Sequence, residues 1–212
     1  MSSAFIYKVQ DYKESSKLLF TYSAFGKITL IAKGAKNYKN AYHSITDYFT
    51  LIDCELVNNK QMQTLKGASL LNDYANYKTL ANSSLVKGYI NAINYLITDD
   101  LPHERLFTMF LLLLDFSNIK LAIITFYIKL TYALGYELTF YKNDYLGFNL
   151  KLGKSVSIFD KISIDLNKEE TDLLKELYFL KEEKEVDSKL LGKLEQFIKE
   201  YYKYHMDYKI EV

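Results

Sequence analysis

The chain has 212 residues, 49% of them hydrophobic and 25% charged, and a formal net charge of +1. That balance excludes disorder over any long stretch and makes whole-chain charge uninformative about partners, while the length allows one large domain or two small ones. Cys54 is the single cysteine, which excludes an intramolecular disulfide and a multi-cysteine metal site.

The first seventy residues read as strands. Phe5, Tyr7 and Val9 alternate with Ile6, Lys8 and Gln10; Leu18, Phe20 and Tyr22 form a second alternating run, and Ile28, Leu30 and Ala32 a third. Residues 48–57 make a fourth, Asn58-Asn59 offers the positive-φ chemistry of a tight hairpin, and residues 61–70 are the expected returning strand. Five short strands suit a small closed barrel. The five-stranded oligonucleotide-binding barrel, the OB-fold, matches the count, and an SH3-like barrel is the rival on pattern alone.

Beyond Leu70 the period becomes helical. Leu85, Tyr89, Ala92 or Ile93, and Leu96 share one face after capping residues at 82–84. Asp99-Asp100 and Pro102 mark a break before Leu106, Met109, Phe110, Leu113 and Leu114. Asn118 is placed to cap a helix over 119–134 that Gly135 stops; this helix is apolar nearly all round, as the central member of a bundle must be. Phe148, Leu150 and Leu152, then Val156 and Ile158, alternate about a turn at Gly153-Lys154. Asn167 with Glu170 predicts a capping box for a helix to about residue 180, and Asp187-Ser188 opens the last one. KEEKE at 181–185 reads as a solvated loop between them. The expected architecture is α+β: an N-terminal five-stranded OB-fold barrel over residues 1–72, then an α-helical domain over 73–212 with a small β-hairpin insertion at about 140–164 and no zinc site.

The charge is unevenly placed. Over residues 1–46 seven lysines face only Asp11 and Glu14, a local balance of +5 that leaves −4 for the rest. A basic front on a mildly acidic body suits a binding face backed by a scaffold. Residues 27–40, KITLIAKGAKNYKN, concentrate it: Lys27 starts a strand, Gly34 lets backbone approach a phosphate, Lys33, Lys36 and Lys39 follow a sugar–phosphate chain, and Tyr38 or Tyr42 stacks on a base. Lys8 and Lys13, the latter beside Tyr12, extend the patch. Arg105 is the only arginine, and lysine lacks the planar fork that reads guanine edges, so sequence-independent binding is favoured.

No catalytic constellation emerges, so no enzyme and no cofactor is expected. His43, His103 and His205 fall in no metal or nucleophile motif, and no glycine-rich phosphate loop ends in Lys-Ser or Lys-Thr. Tyr201, Tyr204 and Tyr208 recur at helical spacing, so packing explains much of the aromatic tail. Lys8, Gln10 and Asp11 interrupt any leader-like apolar run, and Asp115, Asn118, Lys120 and Lys129 break the most apolar region. The expected setting is the reduced cytoplasm, with no membrane.

Residues 5–37, FIYKVQDYKESSKLLFTYSAFGKITLIAKGAKN, resemble the start of the bacterial RecO family of DNA repair and recombination mediators. The likeness lies in the extended first strand, Tyr12 and Glu14-Ser15 before the second strand, Gly26-Lys27, and the Ala32-Lys33-Gly34-Ala35-Lys36 loop. It continues loosely through Ser69-Leu70-Leu71, residues 85–96 and Ala133-Leu134-Gly135-Tyr136, and residues 201–210 resemble the family's C-terminal helix. The resemblance implies a non-catalytic mediator that binds single- and double-stranded DNA and anneals complementary strands. With RecR, and often RecF, it would load RecA onto strands coated by single-strand-binding protein, and would be nucleoid-associated when bound. The helical domain would contact RecR and the acidic C-terminal tail of single-strand-binding protein, with Arg105, Lys120 and Lys129 as candidates. Two departures stand out: residues 141–164 lack the four cysteines with which many relatives bind zinc, and lysines replace the arginines usual in the loop. The rival reading is a non-enzymatic adaptor whose OB- or SH3-like barrel docks proteins and never touches DNA.

Overall fold

The computed structural model describes residues 2–57, 60–98, 103–142 and 144–211; the hairpin turn at Asn58-Asn59 and the break at Asp99-Asp100 and Pro102 lie outside the described residues. The chain forms two compact units, Met1–Leu112 and Leu113–Val212.

The first unit is built on β1 (Ser2–Tyr12), β2 (Ser16–Ser23), β3 (Gly26–Ala32), β4 (Thr50–Cys54), β5 (Met62–Thr64) and β6 (Ser69–Asn72), in the order β5-β3-β2-β1-β4-β6. All pairs are antiparallel except β3 with β5. Period-two alternation sends Ala4, Ile6, Leu19, Ile28, Leu30, Ala32, Ile52 and Cys54 into one core, joined by Leu65. Among the described residues the first sheet has six strands where the sequence reading expects five. Residues 61–70 are not one returning strand: Gly67, at φ 57°, turns the chain between β5 and β6. β5 then runs parallel to β3, and β6 pairs with β4.

The other face of the sheet carries Phe5 and Tyr22, and it is covered by aromatics from α1 (Ser83–Tyr95) and α2 (Glu104–Leu114). Phe5 meets Phe49 and Phe110 edge to face, each at 4.9 Å, and Tyr22 meets Phe107 at 5.2 Å. Such pairs contribute about 1 kcal/mol each beyond the area they bury. They are why the compact unit runs to Leu112, whereas a division at residue 72 marks only the change from strands to helices.

The second unit holds α3 (Ile119–Ala133), β7 (Tyr145–Asn149), β8 (Lys154–Ser157), β9 (Leu166–Asn167), α4 (Lys168–Phe179) and α5 (Ser188–Met206). α3 is buried on almost every side, starts at the Asn118 cap and is followed by Gly135 at φ 80°. Asn167 and Glu170 form the expected capping box, and Asp187 caps α5. The expected hairpin is present as β7–β8, and β9 adds a third strand on the far side of β7 that alternation alone does not announce. Gly147 makes that pairing possible, since a Cβ there would run into the Leu166 carbonyl. Packing and hydrogen bonds hold the cysteine-free segment: Asn149 Nδ2 donates to the Ser163 carbonyl at 2.9 Å, Leu150 N–H to Asp165 at 2.7 Å, and Phe148 packs on Phe197. The tyrosine-rich end packs as well, through Tyr201 and Tyr202, both buried, while Tyr204 is exposed. Among the described residues no helix is long and apolar enough to cross a membrane.

Candidate nucleic-acid interface

One end of the first sheet is shaped by a bond between two loops distant in sequence. The β1–β2 turn passes through Lys13 at φ 52°, and the chain leaves β3 through Gly34 at φ 72°. Lys36 joins them: its N–H donates to the Ser15 carbonyl at 2.9 Å, and its ammonium reaches the Lys13 carbonyl at 3.2 Å and Asp11 at 3.0 Å. The loop after β3 is tied into the fold along its length. Asn40 Nδ2 donates to the Lys33 carbonyl at 3.4 Å, His43 Nδ1 lies 2.9 Å from the Ala35 carbonyl, and Ala35 and Ile45 are buried in the core. Two chain crossings and a buried anchor make this a fixed surface rather than a solvated turn.

On that surface Lys33, Lys39 and Lys13 are exposed, and Tyr38 is 77% exposed. Lys39 lies over the Tyr38 ring at 5.7 Å and Lys13 over Tyr12 at 5.2 Å. Cations beside flat, open rings are what an unpaired strand needs, with phosphates held by charge and bases by stacking. Lys36 serves differently from the sequence expectation: paired with Asp11, it supplies structure more than charge. Lys27 also departs from the cluster. It stands at the far end of β3, roughly 20 Å away by strand rise, where its ammonium donates to the Asn94 carbonyl in the last turn of α1 at 3.1 Å. Lys8 projects from the middle of β1 with its ammonium 5.0 Å from the Phe20 ring. Alternation marks Phe20 as a strand residue but does not announce its neighbour on the next strand, so the pairing with Lys8 has no signal in the sequence.

The three cations assigned to protein partners have separate surroundings. Arg105 is exposed in the first turn of α2. Lys120 pairs with Glu195 on α5 at 2.7 Å, whereas Lys129 donates to the Tyr178 carbonyl on α4 at 2.8 Å. Burial pulls the Lys129 pKa down to about 8.

Among the described residues no group of three or more His, Cys, Asp or Glu is arranged to hold a metal ion. His205 Nε2 lies 2.8 Å from the Leu150 carbonyl with its ring against Tyr201, and His43 is taken up by its loop. Cys54 is buried in the strand core, where burial pushes its thiol up to about 11.

Residues 1–74 match the family model described as Recombination protein O N terminal. The chain is similar to the DNA repair protein RecO of Clostridium perfringens, with 31% identity over 170 residues, covering 77% of this chain and 64% of that protein. The DNA repair protein RecO of Clostridium kluyveri is 29% identical over 144 residues, covering 65% and 56%, and that of Geobacter metallireducens 28% over 111 residues, covering 51% and 45%. The chain therefore spans less than two thirds of the length of these relatives.

Proposed function

We propose that this chain, whose residues 1–74 match the N-terminal model of the RecO family, is a member of that family and a non-enzymatic mediator of recombinational DNA repair that binds DNA without regard to sequence. The observation that carries this reading is the joining of the β1–β2 turn to the loop after β3. It gathers Lys13, Lys33 and Lys39 with Tyr12 and Tyr38 on one end of the sheet. Cations spaced along a fixed rim screen phosphate repulsion, the step that limits two complementary strands from meeting. On the same reading the first five strands act as an OB-type barrel. Its support is the order β5-β3-β2-β1-β4 around one apolar core, with Glu55 N–H donating to the Lys66 carbonyl at 3.1 Å between the segments that follow β4 and β5. Annealing of complementary strands, cooperation with RecR and RecF, capture of the acidic tail of single-strand-binding protein and loading of RecA belong to this proposal. Of the three cations offered to that tail, Arg105 and Lys120 are exposed, Lys129 only in part.

The test is an anisotropy titration of a labelled oligonucleotide across salt concentrations, comparing the parent with Lys33→Ala/Lys39→Ala. Loss of two phosphate contacts lowers affinity for every sequence and reduces the single-strand salt slope by about 1.4. A double variant that binds as the parent does removes this rim from the interface. A parent that leaves the annealing rate of complementary oligonucleotides unchanged favours the adaptor reading.

A further inference from the structure

A cleft of about 310 Å³ opens on the outer face of the first unit, away from the basic rim, walled by Tyr7, Phe20, Lys27, Thr29, Gln61 and Asn94. Three local features build it. A bulge in β1 between Ile6 and Lys8 takes Tyr7 out of regular alternation, the usual way a strand re-aims a side chain. Thr29 N–H donates to the Gln61 carbonyl at 2.8 Å, which fixes Gln61 at the edge of β3. The Lys27 ammonium is held to the Asn94 carbonyl at 3.1 Å, placing a cation and an amide side by side.

The lining has a definite chemistry. Phe20 supplies an aromatic wall, with the Lys8 ammonium 5.0 Å from its ring. Gln61 and Asn94 each carry a carboxamide with two donors and one acceptor oxygen, the group that pairs with the edge of a base. Among the described residues no carboxylate lines the cleft, and the cations at it are Lys8 and Lys27. A flat ligand with mixed donors and acceptors, attached to an anion, fits that set.

We propose that this cleft takes one base of an unpaired DNA strand, stacked on Phe20 and hydrogen-bonded by Gln61 and Asn94, and that it gives the first unit a preference for single strands. The inference rests on the DNA-binding reading above and adds a site to it. A base within a duplex is already stacked and paired, so reaching the cleft carries an unstacking cost that a single strand avoids. From Thr29 beside the cleft to Ala32 at the end of β3 is three residues of extended chain, roughly 10 Å, and the turn at Gly34 follows directly. A strand with a base in the cleft therefore runs along β3 to Lys33 and Lys39.

The experiment compares a thymidine oligonucleotide with an abasic chain of the same phosphate number, and with a duplex, using the full chain. The parent binds the thymidine strand about tenfold more tightly than the abasic one. Gln61→Ala/Asn94→Ala, which keeps the Asn94 carbonyl that holds Lys27, lowers the ratio severalfold, leaving the part due to stacking on Phe20, Tyr12 and Tyr38, and leaves duplex binding unchanged. Gln61→Ala alone, at an exposed side chain, moves the ratio in the same direction and guards against misfolding of the double variant. An unchanged ratio in the variants, or equal losses on single strand and duplex, overturns the cleft while leaving the basic rim intact; equal binding of thymidine and abasic strands by the parent overturns the cleft together with stacking on Tyr12 and Tyr38. A parent that binds none of the three overturns the DNA-binding reading and the cleft with it.

Discussion

Glu183 grips Ser117 twice: its carboxylate accepts both the Ser117 backbone N–H and the Ser117 hydroxyl, each at 2.8 Å. It also accepts the Asn118 N–H at 2.8 Å. An acid from the KEEKE segment thus satisfies donors at the start of α3, where the helix dipole favours negative charge. The segment read as a solvated connection is a fastening, and Lys184 adds an ion pair to Glu176 on α4.

Glu183→Ala is expected to cost about 1 kcal/mol at neutral pH, as for loss of a helix cap. The N–H groups of Asn118 and Ser117 hold the Glu183 pKa below the ordinary carboxylate range. Its contribution is therefore present above the unfolded-state pKa, about 4.3, and is lost as pH falls through the lower folded value. Urea midpoints of parent and variant should differ at pH 7 and converge in acid. A gap that persists undiminished in acid would assign the effect to something other than the carboxylate.

How much was legible followed from the range of the signals. Caps are local, so Asn118, Asn167 with Glu170, and Asp187 were readable from a few residues and stand where expected. Alternation is equally local: in β3 it picks out Ile28, Leu30 and Ala32, which all enter the strand core, whereas in β1 and β2 the core takes Ala4, Ile6 and Leu19 and the sets begun by Phe5 and Leu18 belong mostly to the opposite face. What alternation cannot carry is which strands become neighbours, so the split of residues 61–70 into β5 and β6 was hidden. The basic rim shows the same limit. Composition located the lysines, but nothing in the sequence says that Asp11 and the Lys13 carbonyl take up Lys36, or that Lys27 is claimed by the end of α1.

Lys129 offers a test in the opposite pH range. With its pKa pulled down to about 8 by burial, the unfolded chain holds a proton that the folded chain lacks between about pH 8 and 10.4. Stability then rises with pH across that window, and below it the folded state carries the full cost of a half-buried ammonium. Raising the pH from 7 to 9 should stabilise the parent relative to Lys129→Met by about 1 kcal/mol, discounted for the part of the side chain that reaches water. Lys129→Met removes the ammonium together with its bond to the Tyr178 carbonyl and so removes this contribution. The comparison cancels Cys54, whose thiol is raised to about 11 by burial and which lowers the stability of both chains as pH rises past about 8.5, and the buried tyrosines act only near pH 10. A difference in denaturant midpoint between parent and Lys129→Met that stays level from pH 7 to 9 would mean that the Lys129 ammonium is fully hydrated.

Asp11 makes the most discriminating prediction, because removing an acid should strengthen binding. Its carboxylate lies 3.0 Å from the Lys36 ammonium, and its side chain is 77% exposed against 27% for Lys36. An exposed pair of this kind contributes about 0–1 kcal/mol to stability, and the loop keeps its other ties through Lys36 N–H to Ser15 and Lys36 Nζ to the Lys13 carbonyl. Asp11→Asn therefore leaves the loop in place while returning one positive charge to the rim. On the DNA-binding reading, affinity for single strands rises and the salt slope steepens by about 0.7, one further phosphate contact. The alternative is equally definite. If Lys36 acts only as a brace and phosphates never approach it, Asp11→Asn binds with the parent's affinity and slope, and the interface narrows to Lys13, Lys33 and Lys39.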